Sequence, residues 1–138
     1  MTTAQEPSPE SPVVLLGVLV LKHALERGGF RVVNAGAMLS QEELINAAIE
    51  TNAKAILVSS SYGMAAIDAE GLRGKCVEAG LDAILLYIGG NLSVTRQARK
   101  WQDIEAEFKA LGFDRVYAQD VRPTQVIADL KQDFGIAD

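Results

Sequence analysis

Short apolar runs rich in β-branched residues alternate along this chain with amphipathic stretches. That alternation constrains the fold more than any other feature, because it is the pattern of βα units building a parallel sheet. The strand candidates are Val13 to Val18, Phe30 to Ala35, Ala55 to Ser59, Ala83 to Ile88 and Arg115 to Ala118. Their near-continuous hydrophobicity suits strands covered by helices on both faces. Among the intervening stretches, Ser40 to Asn52 has the clearest ends: Ser40 and Glu43 hold the spacing of a capping box, and Leu44, Ala47 and Ala48 share a face. Further helices are predicted from about Ala65 to Ala79 and from about Ala98 to Leu111, stopped by Gly80 and Gly112 as left-handed terminal residues. A short helix spans about Val20 to Arg27, and the last begins near Pro123 and presents Val126, Ile127 and Leu130 to the sheet. This series predicts an α/β fold of the flavodoxin-like (Rossmann-like) type, a doubly wound five-stranded parallel sheet of order 2-1-3-4-5.

At 138 residues, with 49% in the apolar set, the chain has room for one domain whose core needs neither disulfides nor a structural metal. One cysteine and one histidine exclude a disulfide framework and a multi-ligand zinc site. Thirteen basic residues against eighteen acidic ones, a net charge of −5, argue against nucleic acid as a partner. The apolar run Val13 to Leu21 is interrupted by Gly17 and falls far short of the roughly 20 residues a membrane helix needs. Three of the four prolines lie between Thr2 and Pro12, with no basic segment ahead of an apolar one. Residues 1–12 therefore read as a disordered leader, residues 13–138 as the folded domain, and the expected location is cytoplasmic.

In a doubly wound sheet, ligands bind outside the carboxyl ends of the strands, near the switch point between the first and third. The third strand runs into Ser59-Ser60-Ser61-Tyr62-Gly63, which offers hydroxyls and free backbone N–H groups to a polar or anionic group. The same serines serve equally as ordinary helix caps. The fourth strand runs into Gly89-Gly90-Asn91, where missing side chains let a bulky ligand approach the backbone, or simply make a turn. Leu21, Ala24, Leu25 and Gly28 form an apolar stripe that turns His23 toward solvent, and Cys76 has the spacing of a buried small hydrophobe. Arg96, Arg99 and Lys100 beside Trp101 read as a solvated helix start. A phosphoacceptor receiver needs an aspartate at the end of the third strand, and a dinucleotide site needs G-x-G-x-x-G after the first; neither is there. The chain also lacks a nucleophile, base and orienting group near one another, so no catalytic residues are expected in it alone.

Four segments carry a more specific signal: HALERGGFRVVNAGAMLSQEELINAAIETNAKAILVSS, the pair YG, IDAEGLRGKCVEAGLDAILLYIGGN, and GFDRVYAQDVRPTQVIADLKQDFG. With them, the stretch from Val13 to Asp133 resembles the small cobalamin-binding subunit of glutamate (methylaspartate) mutase, a B12-binding domain. The resemblance implies that adenosylcobalamin binds with its dimethylbenzimidazole tail extended into the protein. Ser59 would hydrogen-bond the buried base and Gly89 and Gly90 would line the tail's channel; their strand-end neighbours Ser60, Ser61, Tyr62, Gly63 and Asn91 complete the candidate cofactor-binding set. It further implies a larger catalytic subunit as partner, to which the cofactor is supplied for the radical rearrangement of L-glutamate to 3-methylaspartate, an isomerase reaction.

The chain departs from the family pattern on one rim of the sheet. The D-x-H-x-x-G motif should follow Gly17-Val18, but about ten residues that hold the loop and the start of the first helix are missing there, and the cobalt-ligating histidine has no counterpart. His23 matches a different, helical position. The leucine of the S-x-L motif is Ser61, and the Q-G-E that follows Tyr-Gly is Met64-Ala65-Ala66. Two readings stay open: a subunit that still carries cobalamin, and a degenerate B12-free subunit that acts as a partner-binding scaffold or regulator.

Overall fold

The computed structural model describes residues 13–16, 22–34, 40–60, 70–90, 100–118 and 121–135. Within them the chain forms β1 (Val13–Leu16), α1 (Lys22–Arg27), β2 (Arg31–Asn34), α2 (Gln41–Thr51), β3 (Ala55–Ser60), α3 (Leu72–Glu78), β4 (Leu85–Gly90), α4 (Trp101–Ala110), β5 (Arg115–Val116) and α5 (Pro123–Phe134). The strands make one parallel sheet of order β2-β1-β3-β4-β5, as the alternation of the sequence predicts. No helix among the described residues is long and apolar enough to cross a membrane.

Strand alternation divides the core into two layers. Ile56, Leu86, Ile88 and Val116 face a layer completed by Ile45 and Ala48 of α2, Leu72 and Cys76 of α3, and Phe108 of α4. Val14, Ala55, Leu57 and Tyr87 face the opposite layer, completed by Leu25 of α1 and by Val126 and Leu130 of α5. The chain thus passes from β1 through α1 on one face, then from β2 through α2 on the other, which puts the switch point between β1 and β3.

Local signals explain most boundaries. The Ser40 hydroxyl accepts from Glu43 N at 3.1 Å and the Glu43 carboxylate accepts from Ser40 N at 3.3 Å, the reciprocal box that starts α2. Asn52, Gly80 and Gly112 take left-handed conformations (φ 56°, 85° and 105°) just past α2, α3 and α4. Other boundaries move. A helix starting at Ala65 does not run through to Ala79, because Gly71, with φ 84°, sits outside helical geometry and α3 begins at Leu72. Ala83 and Ile84 are not yet strand: Ile84 N donates to Leu81 O at 3.3 Å and closes a turn, so β4 starts at Leu85 and reaches Gly90. β3 runs one residue further than expected, to Ser60, and β5 is only Arg115–Val116. Of the first helix, Val20 and Leu21 lie outside the described residues, as do the Val18–Leu19 junction and Arg96 and Arg99.

Candidate functional site

The two strands that carry the candidate residues are neighbours in the sheet. Parallel pairing of β3 with β4 sets Ser59 opposite Gly89 and Ser60 opposite Gly90, so the serines and the glycine pair meet at one carboxyl edge beside the switch point. β1 ends lower in its described part, with Leu16 level with Leu57 of β3. The edge of β3 and β4 therefore stands above it. Ser61, Tyr62, Gly63 and Asn91 lie outside the described residues.

Gly89 is not bordered by open space on its α5 side. A Cβ built there would come 3.3 Å from Cβ of Tyr117 and 3.7 Å from its carbonyl oxygen. The glycine admits Tyr117 to the sheet face, and a methyl group would press on it. Tyr117 continues the β5 pairing, its N donating to Ile88 O at 2.8 Å.

Beneath that edge lies a polar network that the sequence reading missed. The Tyr117 hydroxyl donates to Asp129 Oδ2 at 2.7 Å and the Tyr87 hydroxyl donates to Asp133 Oδ2. Arg115 grips Asp133 with two hydrogen bonds of 2.9 Å, from Nε and Nη2, and places Nη1 3.4 Å from Asp129 Oδ1. Gln125 Nε2 adds a bond to Asp129 Oδ1 at 2.9 Å. Asp129 is only 7% exposed, a buried carboxylate made tolerable by these three donors. Burial, and then the hydrogen bonds to the aspartates, push both phenols above the usual tyrosine range. Arg115 holds the Asp133 carboxyl below the usual aspartate range. A signal for part of this lay in the spacing: 126, 129, 130 and 133 form one helical stripe, so two aspartates share the buried face with Val126 and Leu130.

The opposite edge of the sheet is built differently. A groove of about 460 Å³ lies there, lined by Arg73, Asp82, Ile84, Gly112 and Asp114 among others. Its arginine serves the fold: Arg73 donates to Gly112 O at 2.9 Å, to Ile84 O at 2.8 Å and to Asp114 Oδ2 at 2.7 Å.

At the upper edge two hydroxyl-bearing positions on β3 lie opposite two side-chain-free positions on β4. A cobalt ligand does not suit the described residues. His23, the single histidine, is on the exposed side of α1, as its spacing predicts, and no cluster of three or more metal-ligating side chains occurs among the described residues. Cys76 is buried in the core, as predicted.

Comparison with known proteins adds the following. The profile described as the B12 binding domain matches residues 8–119. The glutamate mutase sigma subunit of Clostridium tetani is 50% identical over 137 residues, covering 92% of this chain and 98% of that one. That alignment has 137 positions and takes in 92% of 138 residues, so about ten of its positions have no residue here. The sigma subunit of Carboxydothermus hydrogenoformans is 50% identical over 121 residues, 88% of this chain and 87% of that one. Among solved structures, a cobalamin-binding protein from Desulfitobacterium hafniense superposes with a TM-score of 0.68 at 15% identity, covering 90% of this chain and 59% of that one. A response regulator from Thermotoga maritima reaches 0.66 at 15% identity, covering 91% and 98%. At such identities the superpositions establish the fold alone.

Proposed function

The chain belongs to the B12-binding domain family, among the sigma subunits of glutamate mutase, and on that premise we propose that it is the cobalamin-carrying subunit of a two-subunit mutase. Residues 1–12 would be its leader and residues 13–138 its B12-binding domain, working in the cytoplasm. One observation carries the reading: Ser59 and Ser60 stand in register with Gly89 and Gly90 at the carboxyl edge beside the switch point. Ser59 is assigned the hydrogen bond to the benzimidazole of the tail, Gly90 the close backbone approach, and Ser60, Ser61, Tyr62, Gly63 and Asn91 the surrounding rim. Gly89 shapes the same floor by admitting Tyr117. When bound, adenosylcobalamin supplies a cobalt–carbon bond whose homolysis begins the rearrangement of L-glutamate to 3-methylaspartate on the larger catalytic subunit. This chain's part is to hold the tail and present the corrin face.

Without the D-x-H-x-x-G segment, and with His23 facing solvent, retention rests on the tail and on apolar contact. The test is to mix the purified chain with hydroxocobalamin or adenosylcobalamin, remove free cofactor by gel filtration, and record the visible spectrum. Co-eluting cobalamin is the expected result. Tyr117 beside Gly89 and the lost ligand loop favour one second reading, a scaffold or regulator that has given up B12. A colourless chain that still co-purifies with the large subunit would establish that reading instead.

A further inference from the structure

The two tyrosines and two aspartates beneath the edge form a ladder whose spacing is set by geometry. Tyr87 is level with Arg115, and Tyr117 stands two residues further on, just past the end of β5, a step of about 6.6 Å at the rise of a strand. Asp133 and Asp129 are four residues apart on α5, about 6.0 Å at the rise of a helix. α5 runs back from the carboxyl edge toward the start of β2, where Phe134 meets Phe30 with ring centroids 6.0 Å apart. The upper tyrosine therefore takes the earlier aspartate and the lower tyrosine the later one.

We propose that the upper rung, Tyr117 to Asp129, is a positioning element that sets the floor of the tail slot at Gly89 and so determines how well the chain accepts a cobalamin with its nucleotide tail. The inference rests on the reading of the carboxyl edge given above. Tyr117 lies closest to Gly89 through its Cβ, while its ring is drawn down the face, edge-on to Tyr87 with centroids 5.8 Å apart and its hydroxyl on Asp129. Without the bond to Asp129, nothing ties the hydroxyl end of the ring to α5, and rotation about χ1 turns the ring toward Gly89. Asp129 in turn is held by Gln125 and Arg115, so the ring's position is coupled to α5 rather than to the strand alone.

The experiment compares binding of cyanocobalamin with binding of cobinamide, which has the corrin but no nucleotide tail, by spectral titration of the full chain and of its Tyr117→Phe and Asp129→Asn variants. Both variants should lose about ten-fold of the preference for cobalamin over cobinamide, the scale of one well-placed hydrogen bond, with cobinamide binding unchanged. A purely structural role would weaken both ligands alike or neither. Should Asp129→Asn fail to fold, Tyr117→Phe, which removes one oxygen atom, decides the matter. An unchanged preference overturns the inference alone. Absence of any cobalamin binding by the unaltered chain overturns the reading of the edge and the inference with it.

Discussion

Gly112 shows how one residue can tie two distant parts of the fold. It ends α4 with φ 105°, and a Cβ at that position would lie 2.5 Å from Cβ and 2.9 Å from Cγ of Arg73. Arg73 packs its stem on this bare backbone while its guanidinium bonds the Gly112 and Ile84 carbonyls and the Asp114 carboxylate. Gly112→Ala therefore combines left-handed strain with a clash against a side chain that three hydrogen bonds hold in place. A loss of about 2–4 kcal/mol is expected, read as a lower urea midpoint at unchanged slope. The sequence announced Gly112 as a helix stop from its place after an amphipathic run. It gave no sign of Arg73, because that contact spans 39 residues and depends on where α3 meets the turn that follows α4.

Among the elements, β4 joins core packing and the proposed binding edge on one strand. Tyr87 and Gly89 belong to the α5 side, and Leu86 and Ile88 to the other. Gly90 stands at the strand's end opposite Ser60. A β-branched residue is well tolerated in a strand, so Gly90→Val should leave the melting temperature close to that of the parent and abolish cobalamin retention on gel filtration. Unchanged retention would show that the tail does not pass there. The strand order was legible because buried parallel strands appear as apolar blocks separated by helical ones. Strand ends were less so: the turn closed by Ile84 on Leu81 carries no glycine or proline to mark it, and Gly71 looked like a tolerated glycine inside a helix. Ser59, Gly89 and Gly90 could be picked out as strand-end residues. Their alignment could not, since register between β3 and β4 depends on the whole intervening connection. The tyrosine–aspartate ladder was hidden for a related reason, with its partners spread over β4, β5 and α5.

For the molecule as a whole, the ladder makes stability depend on acid. Arg115 depresses the Asp133 pKa in the folded chain below its value in the unfolded one. Its contribution is accordingly complete above about pH 4 and drains away as pH falls through the lower, folded value. Urea midpoints measured from pH 6 down to pH 3 should drop steeply at the acid end for the parent chain and less steeply for Asp133→Asn. Equal slopes would mean the ion pair is not coupled to folding. The two ends of the sheet thus differ in kind: the amino edge is tied together by Arg73, whereas the carboxyl edge carries the serines and glycines above the tyrosine–aspartate ladder. Because a two-residue strand step and a four-residue helix step nearly coincide, the phenols and carboxylates mesh like gear teeth of matched pitch. α5 cannot creep along β4 and β5 by a fraction of a turn without disengaging both teeth together, and a slip of one whole notch would leave a single tooth engaged.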